Sequence, residues 1–307
     1  MEYIKGIYLS NILKKPTANS EEKEILNPDV DDTTLNIMYC QIANIMLQLY
    51  NFNFTRIGAI SEVIEGANTW AVTGRPLTYN MNELAISTGY PINWFPTGRF
   101  ASANKYFKSL AGQHLVHLHT QCNLATDSED ARKWYIACHL LQQLAARNCI
   151  NDNGPFKLFC DDLQPANILV NSETLQITTV LNLGFTNAMP AQFASDPPWW
   201  LLLFMAQYTP RLEQFLDALE QVEGEKYRRK PSAKRLSELM RKSWTSGEFW
   251  FNFASKKSLD VDAMFYQQLY MIYYGGKASV DLLDDKVQGY LESFVRKKMV
   301  QTPEEGL

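Results

Sequence analysis

Phe159-Cys160-Asp161-Asp162-Leu163-Gln164-Pro165-Ala166-Asn167-Ile168-Leu169-Val170 is the stretch on which the reading of this chain turns. Asp162 is followed five positions later by Asn167, between two apolar runs, 156–160 and 168–170, that read as strands. The spacing suits one chemistry. A carboxylate orients or deprotonates an attacking hydroxyl, and an amide oxygen a few ångströms away ligates Mg²⁺. The intervening loop has to be irregular for both groups to face one cleft, and Pro165 keeps it from becoming helical. In isolation, Asp161-Asp162 reads first as a solvated turn with helix-capping or loop-ordering duty; the flanking strands and the downstream hairpin favour the kinase-type layout.

Downstream, Asn171-Ser172-Glu173-Thr174 has hairpin-turn chemistry and returns the chain through 175–181 to Leu181-Asn182-Leu183-Gly184-Phe185. A kinase-type loop pair places its second metal ligand here. Asn182 reads either as a residual ligand or as a polar strand-end residue bonded to the backbone. Upstream, Leu35, Met38, Ile42, Ile45, Met46 and Leu49 predict a helix over 34–50, capped by Asp32 or Thr33. Residues 14–34 read as an exposed connector, and 56–80, with its glycines around Thr69–Thr73, as a hairpin. Two long helices are expected over 101–148, broken near 123–128. After Pro198 the pattern is helical almost to the end. One face is Leu212, Phe215, Leu216, Leu219 and Val222, and another is Leu236, Leu239, Met240 and Trp244. A third is Val261, Met264, Phe265, Leu269 and Ile272, and a charged loop is expected at 223–231.

The bulk properties narrow the field. The 307 residues are 46% hydrophobic and 20% charged, with net charge −4, so no bulk attraction to nucleic acid or anionic lipid is expected. The five cysteines form no C-x-x-C pair and read as reduced thiols. The N-terminus is too polar for a signal peptide, and the densest apolar run, 197–206, is half of the ~20 residues a membrane helix needs. A cytoplasmic protein without nucleic-acid or membrane partners is expected. His114 and His117 share a helical face that His119 leaves, so they read as structural rather than as metal ligands. Trp199-Trp200 and Phe249-Trp250-Phe251 read as packing anchors, and the acids at 281–285 as a solvated helix start.

With these residues in hand, the chain resembles the fungal aminoglycoside phosphotransferase (choline-kinase-like) family. The likeness runs through Thr73-Gly74-Arg75-Pro76-Leu77-Thr78, Asn82-Glu83-Leu84-Ala85, Gly154-Pro155-Phe156, Pro190-Ala191-Gln192-Phe193, Pro197-Pro198-Trp199-Trp200-Leu201 and Phe249-Trp250-Phe251-Asn252. The resemblance implies ATP- and Mg²⁺-dependent phosphorylation of a small-molecule hydroxyl. In it, Asp162 takes the catalytic carboxylate position, Asn167 a metal-binding position, and Asn182 the position of a metal-chelating Asp. It also implies that Glu2, Tyr3 and Ile4 form a hinge strand whose backbone meets adenine.

The expected architecture is α+β, mainly helical: the C-terminal lobe of a protein-kinase-like fold, with a few short strands carrying the catalytic and metal loops. It is read as one domain, with a hinge-like strand at 1–6, a connector at 7–34, a core at 35–198 and a helical part at 199–307. Neither G-x-G-x-x-G nor G-x-x-x-x-G-K-[ST] occurs. The family's small lobe is therefore expected to be missing, and its cleft-facing surface to favour self-association or a partner. Asn182 in place of a carboxylate removes a first-shell charge, and Cys160-Asp161 stands where the family has His-Gly. Together these departures predict weak or absent phosphate transfer. The rival reading is a non-enzymatic pseudokinase that binds or scaffolds. A protein kinase ranks below both, since D-F-G and A-P-E markers are absent.

Overall fold

Short alternations of burial in mid-sequence and longer helical periodicities on either side build an α+β structure that is mainly helical. The computed structural model describes residues 4–15, 27, 30–204 (backbone alone at 202–204), 208–227, 235–277 and 280–301. Among them the strands are β1 (Ile7–Tyr8), β2 (Asn53–Phe54), β3 (Gly58–Ile64), β4 (Thr69–Gly74), β5 (Phe156–Cys160), β6 (Ile168–Val170), β7 (Ile177–Val180) and β8 (Thr186–Met189). The helices preceding β5 are α1 (Leu9–Leu13), α2 (Asp32–Tyr50), α3 (Tyr79–Ser87), α4 (Ala103–Thr120) and α5 (Ser128–Arg147). After β8 come α6 (Ala191–Ala194), α7 (Tyr208–Lys226), α8 (Leu236–Ser246), α9 (Glu248–Ser255), α10 (Val261–Met264), α11 (Tyr270–Tyr274) and α12 (Asp285–Gln301).

The strands make two antiparallel sheets, one in the order β1-β6-β7 and the other in the order β2-β5-β8-β3-β4. The chain crosses between them twice. Residues 161–167 lead from β5 to β6, and residues 181–185 return from β7 to β8. Because β5 pairs with β8 at Cys160↔Thr186 and β6 with β7 at Ile168↔Val180, the two crossings run side by side. Phe156, Met189 and Phe193 face a core built from α4, α5, α9 and the last helices, whereas Cys160, Leu163, Ile168 and Val170 face a second core of α1, α2, α7 and α8. Leu163 thus pins the first crossing over the second core.

Most of the helices and hairpins fall where periodicity and turn chemistry put them. The α2 cap is Asp31, whose carboxylate accepts the Thr34 amide at 2.9 Å, one residue before the expected pair. Three expectations need correction. Residues 7–34 are not simply an exposed connector: β1 and α1 lie there, with Leu9 and Leu13 buried, while 16–26, 28 and 29 fall outside the described residues. The expected loop at 223–231 is helical through Lys226, with Glu223 fully buried; 228–231 fall outside the described residues. Ile272, expected on a core face, is 42% exposed, because a π-helical turn at Phe265–Leu269 shifts the register of the helix after it. No helix among the described residues is long and apolar enough to cross a membrane.

Candidate functional site

Two backbone hydrogen bonds clamp the crossings together: Leu181 N–H donates to Asn167 O at 2.7 Å, and Asp161 N–H to Phe185 O at 3.3 Å. This brings Asp162, Asn167 and Asn182 into one hydrogen-bonded chain. Asn167 Nδ2 donates to Asp162 Oδ2 at 2.7 Å and to the Asp162 carbonyl at 2.9 Å. Asn182 Nδ2 donates to Asn167 Oδ1 at 2.8 Å, and Gln164 Nε2 to Asp162 Oδ1 at 2.6 Å. Asn167 is the buried centre and Asn182 the exposed end. Pro165 starts a short 3₁₀ turn ending at Asn167, which aims that side chain back at Asp162. Asn182 has φ 55° and ψ 46°, a left-handed conformation that Asn adopts more readily than most residues. Its identity therefore serves the backbone as well as the chain of amides.

The two adjacent acids divide their work. Asp161 Oδ2 accepts the Tyr79 amide at 3.2 Å, at the first residue of α3, where a negative charge suits the helix dipole. The capping role foreseen for the pair belongs to Asp161 and leaves Asp162 for the cavity. That cavity, of about 100 Å³, is lined by Asp161, Asp162, Gln164, Tyr79, Glu83, Trp199, Phe253, Lys256 and Lys257. Lys257 pairs with Glu83 at 3.6 Å and lies 4.8 Å over the Tyr79 ring. Burial raises the Glu83 carboxyl despite the Lys257 charge. Burial, with Glu83, Asp162 and Asp161 nearby, raises the Tyr79 phenol.

Mg²⁺ does not fit these donors as they are arranged. Asn167 Oδ1, the oxygen that would face a cation, is turned onto an amide N–H, and Asp162 is the one formal charge among the three side chains. Coordination through Asn167 Oδ1 would require the Asn182 amide to turn over and their bond to break. Among the described residues, no group of three or more His, Cys, Asp or Glu could hold a metal ion.

The adenine-facing strand is corrected in part. Ile4 lies outside any strand and is 40% exposed, because the first pairing begins at Ile7; Glu2 and Tyr3 fall outside the described residues. His114 is buried with Nδ1 2.8 Å from Ser258 Oγ, His117 is also buried, and His119 packs edge-on against Phe294. Trp200, Phe249, Trp250 and Phe251 are core anchors as expected, whereas Trp199 is partly exposed and lines the cavity. Sequence reasoning missed Tyr79, Gln164, Glu83, Lys256 and Lys257 as site residues. One signal was available for the lysines: two adjacent cations close the aromatic run 249–253, where a buried helix end has to meet something polar.

No protein-family model, no curated protein and no solved structure matches this chain.

Proposed function

We propose that this chain is a phosphotransferase-type protein of the kinase-like lobe architecture, in which phosphate transfer is weak or lost and a binding site for a hydroxylated small molecule is kept. One observation carries the reading: Asp162, Asn167 and Asn182, on two loops between paired strands, form a continuous hydrogen-bonded chain whose carboxylate end opens onto a polar cavity. Asp162, steadied by Gln164 and Asn167, keeps lone pairs for a substrate hydroxyl. Transfer from Mg·ATP depends on charge neutralisation, and the missing carboxylate at 182 costs at least the ~10–100-fold typical of disturbed outer metal contacts.

The test is a thermal-shift titration with Mg·ATP beside a panel of polyols and sugars, in wild type and Asp162→Asn. The expected result is no shift with Mg·ATP and a polyol-dependent shift that Asp162→Asn removes. Transfer of the γ-phosphate to any panel member would overturn the loss of catalysis. A panel with no shift at all would overturn the binding role.

A further inference from the structure

A second chamber opens behind the polar cavity. It encloses about 50 Å³ between Trp199, Trp200, Phe249 and Phe253, and Asp196 and Lys256 supply its charged groups. Trp199, Phe253 and Lys256 also line the polar cavity, so the two spaces share a wall. Asp196 is 5% exposed. Its Oδ1 accepts from Ser243 Oγ at 2.6 Å and Asn252 Nδ2 at 3.0 Å, while its Oδ2 is buried with no partner. Lys256 lies with Nζ 4.5 Å from the Phe159 ring centre and 4.7 Å from that of Phe193. No hydrogen bond or ion pair joins it to a described residue; Asp161 and Asp196 are the acids whose charges act on it.

A buried acceptor without a partner and a half-buried, donor-only ammonium held over two ring faces stand in one aromatic chamber. Leaving a buried polar group unsatisfied costs about 1–3 kcal/mol, so Asp196 Oδ2, with the Lys256 ammonium lining the same chamber, marks a place for a ligand. An added anion would meet Asp196, and an added cation would meet Lys256. A hydroxyl answers both, because its O–H donates to Asp196 Oδ2 while its oxygen accepts from Lys256. The aromatic walls call for a flat ring attached to that hydroxyl.

The geometry points to this chamber as a binding site for an uncharged aryl alcohol or phenol, whose hydroxyl bridges Asp196 and Lys256 and whose ring lies among Trp199, Trp200, Phe249 and Phe253. This deepens the proposed function by naming the ligand class, and it rests on that reading only for a second hydroxyl reaching Asp162. Burial pushes Asp196 up to about 7 and lowers Lys256.

The experiment is ligand-observed NMR and tryptophan fluorescence with benzyl alcohol, toluene, benzoate and benzylamine. Wild type is expected to bind benzyl alcohol about ten-fold tighter than the other three, the worth of one hydrogen bond to a charged group. Lys256→Met, which leaves the Ser243 and Asn252 contacts of Asp196 in place, is expected to erase that preference. Benzyl alcohol binding no tighter than toluene, benzylamine binding best, or a preference unchanged in Lys256→Met would each overturn the assignment. A second arm separates the two readings. The para-hydroxybenzyl alcohol is expected to outbind benzyl alcohol, and Asp162→Asn to remove the gain. If the gain is missing while the Lys256 dependence holds, the hydroxyl-holding role of Asp162 falls and the chamber stands.

Discussion

The side-chain amide of Asn182 donates to the side-chain oxygen of Asn167 at 2.8 Å, joining residues fifteen positions apart on two separate crossings. An N–H thus occupies the direction from which a cation would reach Asn167, and Asn182 ends the polar chain.

Asn182→Asp tests what that N–H replaces. The new carboxylate faces Asn167 Oδ1 and adds charge near Asp162, yet Asp tolerates the left-handed backbone. In chelator the variant is expected to lose about 1 kcal/mol, and Mg²⁺ at 100 times its Kd should return about 2.7 kcal/mol. Melting curves with and without MgCl₂ decide it; superimposable curves for the variant would break the link between this site and metal chemistry.

Asn167 and Asn182 should differ in weight. Asn167→Ala removes the buried centre, leaving Asp162 Oδ2 and the Asn182 amide without their partner, and is expected to cost about 2–3 kcal/mol. Asn182→Gly removes an exposed end while leaving the left-handed backbone accessible, and should cost less than about 1 kcal/mol. Urea unfolding ranks them; equal costs would mean that the chain does not act through its centre.

Glu223 governs a helix start distant from the cavity. Its Oε1 accepts the Leu236 amide at 2.5 Å and its Oε2 the Ser237 hydroxyl at 2.5 Å, so it caps α8 from α7 where Arg235 makes no side-chain cap. Glu223→Ala is expected to cost about 3 kcal/mol, and Glu223→Gln roughly half of that. Unfolding free energies within error of wild type would contradict the capping role.

The pH profile has two opposing parts. Burial lowers His114 to about 3, and His117 and His139 to about 4, so the unfolded chain takes up protons first and stability is lost as pH falls from 6.5 towards 4. Asp196 is raised to about 7 by burial, so the folded chain keeps its proton longer; its contribution is present below 3.8 and is lost as pH rises through 7. Asp196→Asn deletes the second part. The acid limb of stability against pH should then steepen, and the decline between about pH 4 and 7 attributable to Asp196 should disappear; an unchanged profile refutes the assignment.

Much of the site was legible because its signals are local. Asp162 and Asn167 sit five residues apart between two apolar runs, and Asn171 declares its turn by accepting the amides of Glu173 and Thr174. What escaped depends on distant partners. Asp196 is defined by Ser243 and Asn252, 47 and 56 residues away, and nothing in its own neighbourhood announces burial. Glu223 stands beside a run of charges that imitates a loop, and its role exists only once α8 arrives. α1 spans five residues, too few for Leu9 and Leu13 to display a period. A strand at Ile4 is implied only by the family resemblance, while among the described residues the ladder begins at Ile7.

The twin crossings also have a mechanical consequence. They run in opposite directions between the two sheets, so a shear of one sheet against the other would carry Asp162 and Asn182 past each other. One residue of slip is about 3.3 Å, more than the length of the bond between the two asparagines. The chain of amides therefore fixes the alignment of the two crossings, with Asp162 at its end.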